Sequence, residues 1–81
     1  MPTFAMRVFT GPCGVKDVAE TLRQAGLDVS CEGTEHVFLN AEGSTPEGAA
    51  WNASVDVFRF HGRDFGLHFK PLSGPFVLAR F

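Results

Sequence analysis

Residues Val55 to Phe69, VDVFRFHGRDFGLHF, constrain the fold most, because apolar and polar residues alternate along them on both sides of a glycine. Alternation at a period of two is the pattern of a half-buried strand. The stretch predicts a β-hairpin that turns at His61-Gly62-Arg63-Asp64, with Gly62 in the first central position, where a type II′ turn needs positive φ. The register then pairs Phe60 with Phe65, Phe58 with Leu67 and Asp56 with Phe69. On the other face it pairs His61 with Asp64, Val57 with His68 and Val55 with Lys70. One face would bury Phe58, Phe60, Phe65 and Phe69, each worth roughly 1.5–3 kcal/mol when fully buried. The other would carry Arg59, His61, His68 and Lys70. A slip of one residue would mix the two sets, so the pattern itself argues for this register.

Around the hairpin the chain reads as follows. Thr3 to Phe9 alternates, with Phe4, Met6 and Val8 on one side and Ala5, Arg7 and Phe9 on the other: a strand. Val15 to Ala25 carries Val15, Val18, Leu22 and Ala25 as a helical stripe, with acids near its start, Arg23 near its end and Gly26 as a stop. Leu27 to Cys31 is a second strand, with Leu27, Val29 and Cys31 on one face and Cys31 as a core residue. His36 to Ala41 is a third, inward at Val37, Leu39 and Ala41. Ser44 or Thr45 caps a short helix, Pro46 to Asn52, whose proline suits the first helical turn. After the hairpin, Phe76 to Phe81 forms a last strand.

The expected fold is therefore α+β: a single, mostly antiparallel sheet of five to six strands with one main helix packed on one face, in the order β-α-β-β-(short α)-β-β-β. A ferredoxin-like split plan fits the first half of this order but not the weak second helix or the extra strands. Eighty-one residues make one compact domain, 1–81, with a small margin of stability.

Charge narrows the function classes. A net charge of −2 gives no global pull toward nucleic acid or anionic membrane. The halves differ: residues 1–50 hold three cations and seven acids, residues 51–81 four cations and two acids. No apolar run reaches the roughly 18–20 residues of a membrane helix, and no charged segment leads into an apolar one as in a signal peptide. The expected location is the cytoplasm, where the Asn52-Ala53-Ser54 sequon has no meaning. The absence of isoleucine and tyrosine and the excess of arginine over lysine suit a GC-rich source, such as an actinobacterium or its phage.

Few residues carry chemistry. Cys13, in Gly11-Pro12-Cys13-Gly14 ahead of the first helix, has the setting of a lowered thiol pKa but no second cysteine two residues on. Cys13, Cys31, His36, His61 and His68 lack the paired spacing of a zinc site, so neither metal nor cofactor is expected. No phosphate-binding or nucleophile motif occurs.

The reading that results is a small non-enzymatic module that binds protein. It would dock a sheet edge, with Phe76–Phe81 as the candidate, or an aromatic patch drawn from Phe9, Phe38, Trp51, Phe76 and Phe81, onto a larger protein or a second copy of itself. Its size suits a phage or mobile-element protein acting on a host target. The alternative is a nucleic-acid or phosphate binder using Arg59, His61, Arg63, His68 and Lys70, where residues 63–69 faintly echo the RNP1 pattern of RNA-recognition motifs. An enzyme using Cys13 is the third reading.

Overall fold

The structure is a computed structural model that describes residues 2–11 and 13–72. Its elements are β1 (Thr3–Phe9), α1 (Val15–Gln24), β2 (Asp28–Glu32), β3 (His36–Glu42), α2 (Pro46–His61) and β4 (Phe69–Pro71). The class is α+β. Among the described residues the four strands form one antiparallel sheet in the order β2-β3-β1-β4. β1 and β2 both run antiparallel to the β3 between them, and β3 and β4 both run antiparallel to the β1 between them. Each helix thus joins two parallel strands split by a third, which is the split β-α-β, or ferredoxin-like, connectivity.

Three expectations hold closely. In β1, Met6 and Val8 are buried while Arg7 and Phe9 are exposed. In α1, Val18, Ala19 and Leu22 are buried, and Asp17 in the first turn and Arg23 in the last complement the helix dipole. In β3, Val37, Leu39 and Ala41 are buried. These residues meet Ala49, Ala53 and Val57 of α2 in one hydrophobic cluster, so both helices cover the same face of the sheet.

The central hairpin does not exist. Its first strand is the second half of α2, and the expected short helix of residues 46–52 runs on for 16 residues to His61. The start is as the sequence indicates: Thr45 is the N-cap, its Oγ1 accepts from the Gly48 amide at 3.0 Å, and Pro46 opens the helix. The end is at Gly62, which does take positive φ (70°), but as a left-handed helix cap whose amide donates to the Phe58 carbonyl. Between these caps Ala49, Ala53 and Val57 recur every fourth residue and form the buried stripe. Strand preference in Val55, Val57 and Phe58 is worth only tenths of a kcal/mol per residue, less than two caps and a buried stripe supply.

The aromatic face predicted for the hairpin is dispersed as a result. Phe58 (54 % exposed), Phe60 (61 %) and Phe65 (37 %) stand at the surface, and only Phe69 packs against the core. The fourth strand, β4, is three residues long and pairs with β1 instead of with residues 55–60. The expected fifth and sixth strands reduce accordingly; Phe76–Phe81 lies outside the described residues.

Two local features shape the sheet. A register shift between Val29 and Cys31 makes a bulge at Ser30, whose Oγ donates to the Phe38 carbonyl at 3.0 Å. Cys31 is thereby the partner of Phe38, on the face away from the helices and half-buried, not in the core as its alternation with Val29 suggests. Glu32 turns to the helix side, where it accepts from Arg23 Nη1 at 3.2 Å. Gly43, where β3 hands over to α2, is buried, and a Cβ there would lie 2.5 Å from the Ala49 amide nitrogen. Close approach of backbone to backbone requires glycine at that position. No helix among the described residues is long and apolar enough to cross a membrane.

Candidate functional site

The helices leave the second face of the sheet open, and the strand order decides what gathers there. Alternation sends Arg7 and Phe9 of β1, His36 and Phe38 of β3, and Lys70 of β4 to this face. The register aligns them in two rows. Lys70, Arg7, Phe38 and Cys31 are successive partners across β4, β1, β3 and β2. Phe9 and His36 are partners in the next row, with His68 just ahead of β4 beside them. Arg7, Phe9, His36, His68 and Lys70 line a single open depression of about 510 Å³.

The rings are held in order. Phe9 and His36 have centroids 5.4 Å apart at 59°, and His36 and Phe38 6.2 Å apart at 32°. Thr10 fixes this end of β1: it is buried, and both its amide (2.9 Å) and its Oγ1 (3.1 Å) donate to the Glu35 carbonyl. That clamp ties β1 to the turn before β3 and so sets Phe9 against His36. Phe9 nonetheless keeps 58 % of its surface exposed.

The charge arrangement is unusual for a sheet. Arg7 and Lys70 are cross-strand partners on the same face, and like charges directly opposite each other are destabilising. The ion pair found among the described residues, Arg23–Glu32, lies on the helix side and leaves both cations without an acid. The other end of the open face is acidic and already occupied with itself: Asn40 Nδ2 donates to Asp28 Oδ2 at 3.1 Å, and Glu42 follows. The face is thus polarised, cationic and aromatic at one end, acidic at the other. An anion carrying a planar ring fits the first end by charge and by shape.

The residues anticipated as one basic face divide between two places. His68 and Lys70 belong to the open sheet. Arg59 and His61 sit in the last turn of α2, and Arg63 lies over the Phe65 ring with its guanidinium carbon 4.6 Å from the centroid. His61 is engaged, its Nε2 donating to the Thr21 carbonyl at 2.9 Å and its ring held edge-on between Phe60 and Phe65. The aromatic candidates divide likewise: Phe9 and Phe38 are on the sheet, Trp51 is on the outer side of α2, and Phe76 and Phe81 lie outside the described residues. Arg7 and His36 complete the site, although Arg7 was read only as an outward strand position and His36 was weighed only as a metal ligand. The alternation of β1 and β3 placed each on an outward face, and only the adjacency of β1 to both β3 and β4 unites them. Cys13 is exposed at the start of α1, and both it and Cys31 are free thiols.

No protein-family model matches the chain, and no curated protein or solved structure matches it either.

Proposed function

We propose that this chain is a non-enzymatic binding module that holds single-stranded nucleic acid on the open face of its sheet. The observation that carries the reading is the cross-strand couple Arg7–Lys70, with no acid in ion-pair contact among the described residues, beside the exposed ring of Phe9. A phosphate placed between the two cations removes their repulsion, and a base stacked on Phe9 or His36 uses a π-face that every nucleotide has. One common RNA-binding module, a four-stranded sheet, stacks two or three bases on aromatic residues of its sheet. His68 stands at the rim of the same depression as a further hydrogen-bond donor. The net charge of −2 makes the attraction local, so affinity is modest and sequence preference slight. In the cytoplasm, Cys13 and Cys31 would stay reduced.

The test is fluorescence anisotropy of labelled oligo(dT) and oligo(rU) at low salt, followed by a salt titration. One phosphate held between the two cations predicts a log–log slope of about −0.7. Arg7→Glu and Lys70→Glu should each abolish binding at low-micromolar protein. Phe9→Ala should cost about 1–3 kcal/mol, the worth of one base stack. Binding that survives Arg7→Glu, or no binding to either oligonucleotide at low salt, removes this reading. The protein-binding reading draws on a different observation, the exposed Trp51 and Phe58 on the outer side of α2.

A further inference from the structure

The open face of the sheet changes sign along its length. Taken along β1 from Phe9 back to Thr3, the first row is Phe9 and His36, and the second is Lys70, Arg7, Phe38 and Cys31. The third is Ala5, Asn40 and Asp28, and the fourth Thr3 and Glu42. Rows follow one another at about 7 Å, twice the rise per residue of a strand. The cationic row thus has the aromatic row as its neighbour on one side and the row of Asp28 on the other, with Glu42 beyond. Both acids are exposed, and Asp28 is held by Asn40 Nδ2 at 3.1 Å.

We propose that this face selects a nucleoside phosphomonoester, the phosphorylated end of a strand or a free nucleotide, over the interior of a strand. The inference rests on the sheet-face reading and names its ligand class. Charge is the first argument. Arg7 and Lys70 are direct cross-strand partners, with no acid in ion-pair contact with either among the described residues. Such partners hold their Cβ atoms about 5 Å apart, close enough to share one phosphate. A terminal phosphate carries about −1.5 to −2 charges at pH 7 and neutralises both cations, whereas an internal phosphodiester carries one charge and leaves a cation over. Geometry is the second argument. With a base on Phe9 or His36, the step of about 7 Å to the Arg7–Lys70 row is the reach of one nucleotide from base to phosphate. The next phosphate of a continuous strand would fall over Ala5 and Asn40, within a Debye length (about 8–10 Å) of Asp28 and Glu42, which repel it. In the other direction, past Phe9 and His36, the sheet ends and a longer strand leaves into solvent. Glu35 stands at that exit, but there the ligand is already off the sheet, where a single charge is screened.

Fluorescence anisotropy at low salt tests it, using internally labelled oligo(dT) of one length with a 5′-phosphate, a 3′-phosphate or hydroxyls at both ends. Thymidine 5′- and 3′-monophosphates serve as separate competitors. The expected result is that a phosphorylated form binds at least about tenfold tighter than the hydroxyl form, from the added charge in contact with two cations. A monophosphate that competes as well as the matching strand assigns the free nucleotide as the ligand, and a weaker one assigns the strand end. Lys70→Gln, which leaves one cation, should remove most of the preference. Asp28→Asn combined with Glu42→Gln should raise the affinity of the hydroxyl form without weakening the phosphorylated one, because the strand can then run on across the sheet. Equal affinity for phosphorylated and hydroxyl ends, or a double variant that binds the hydroxyl form no better than the parent, overturns this inference and leaves the sheet-face reading standing. Binding of none of these ligands overturns both.

Discussion

α1 and α2 lie side by side on one face of one sheet, yet only α1 reads as a helix along its whole length. In α1 the buried Val18, Ala19 and Leu22 alternate at helical spacing with charged residues, so inside and outside differ in kind. In α2 the inside is mostly alanine and the outside carries tryptophan and phenylalanine, so the larger hydrophobic residues are the exposed ones. Periodicity reports a contrast between two faces, and a helix that is apolar on both has little contrast to report. In this chain the anomaly in the pattern coincides with the exposed Trp51 and Phe58 of α2.

The comparison is broken most forcefully at adjacent residues. Val57 is 4 % exposed and Phe58 54 %, although a strand would bury Phe58 and expose Val57. Val57→Asp buries an unpaired carboxylate and should cost about 3–5 kcal/mol, a large share of the stability of so small a protein. Phe58→Asp should cost under about 1 kcal/mol. Urea melts of the two variants decide between helix and strand, and the reverse ranking would restore the hairpin. At the helix starts the contrast is smaller. Thr45→Ala removes the Oγ1 bond to the Gly48 amide and should cost about 1 kcal/mol. Thermal unfolding would register this as a fall of several degrees. α1 begins at Gly14, which has extended backbone and no side-chain cap. Gly14→Ser should therefore stabilise by a few tenths of a kcal/mol, near the limit of careful paired melts.

What was legible follows from the same contrast. β1, α1 and β3 could be read residue by residue because Met6 and Val8, and Val37, Leu39 and Ala41, fall at every second position, and Val18 and Leu22 recur at helical spacing among charged residues. Both ends of α2 were marked as well, by Thr45-Pro46 and by a glycine needing positive φ at position 62. Its interior was not, because the run of valines and phenylalanines from 55 to 60 happens to alternate. Cys31 was misplaced by the Ser30 bulge, which no local pattern announces. The site was half visible: Lys70 and His68 were picked out, but with Arg59 and His61, which the helix carries away. Joining Lys70 to Arg7 requires knowing that β4 returns to the outer edge of β1, and strand order is a property of the whole chain.

Gly43 gives a means of finding kin that surface residues cannot give. The space between it and Ala49 excludes every side chain, so the junction is fixed by backbone packing, which places no such constraint on the exposed Trp51, Phe58 or Phe9. A glycine two residues ahead of a Thr-Pro helix start, followed by Ala49, Ala53 and Val57 at every fourth position, is a short pattern dictated by backbone contact and not by any ligand. Chains that share it would share the seating of this helix on its sheet even where they bind nothing in common.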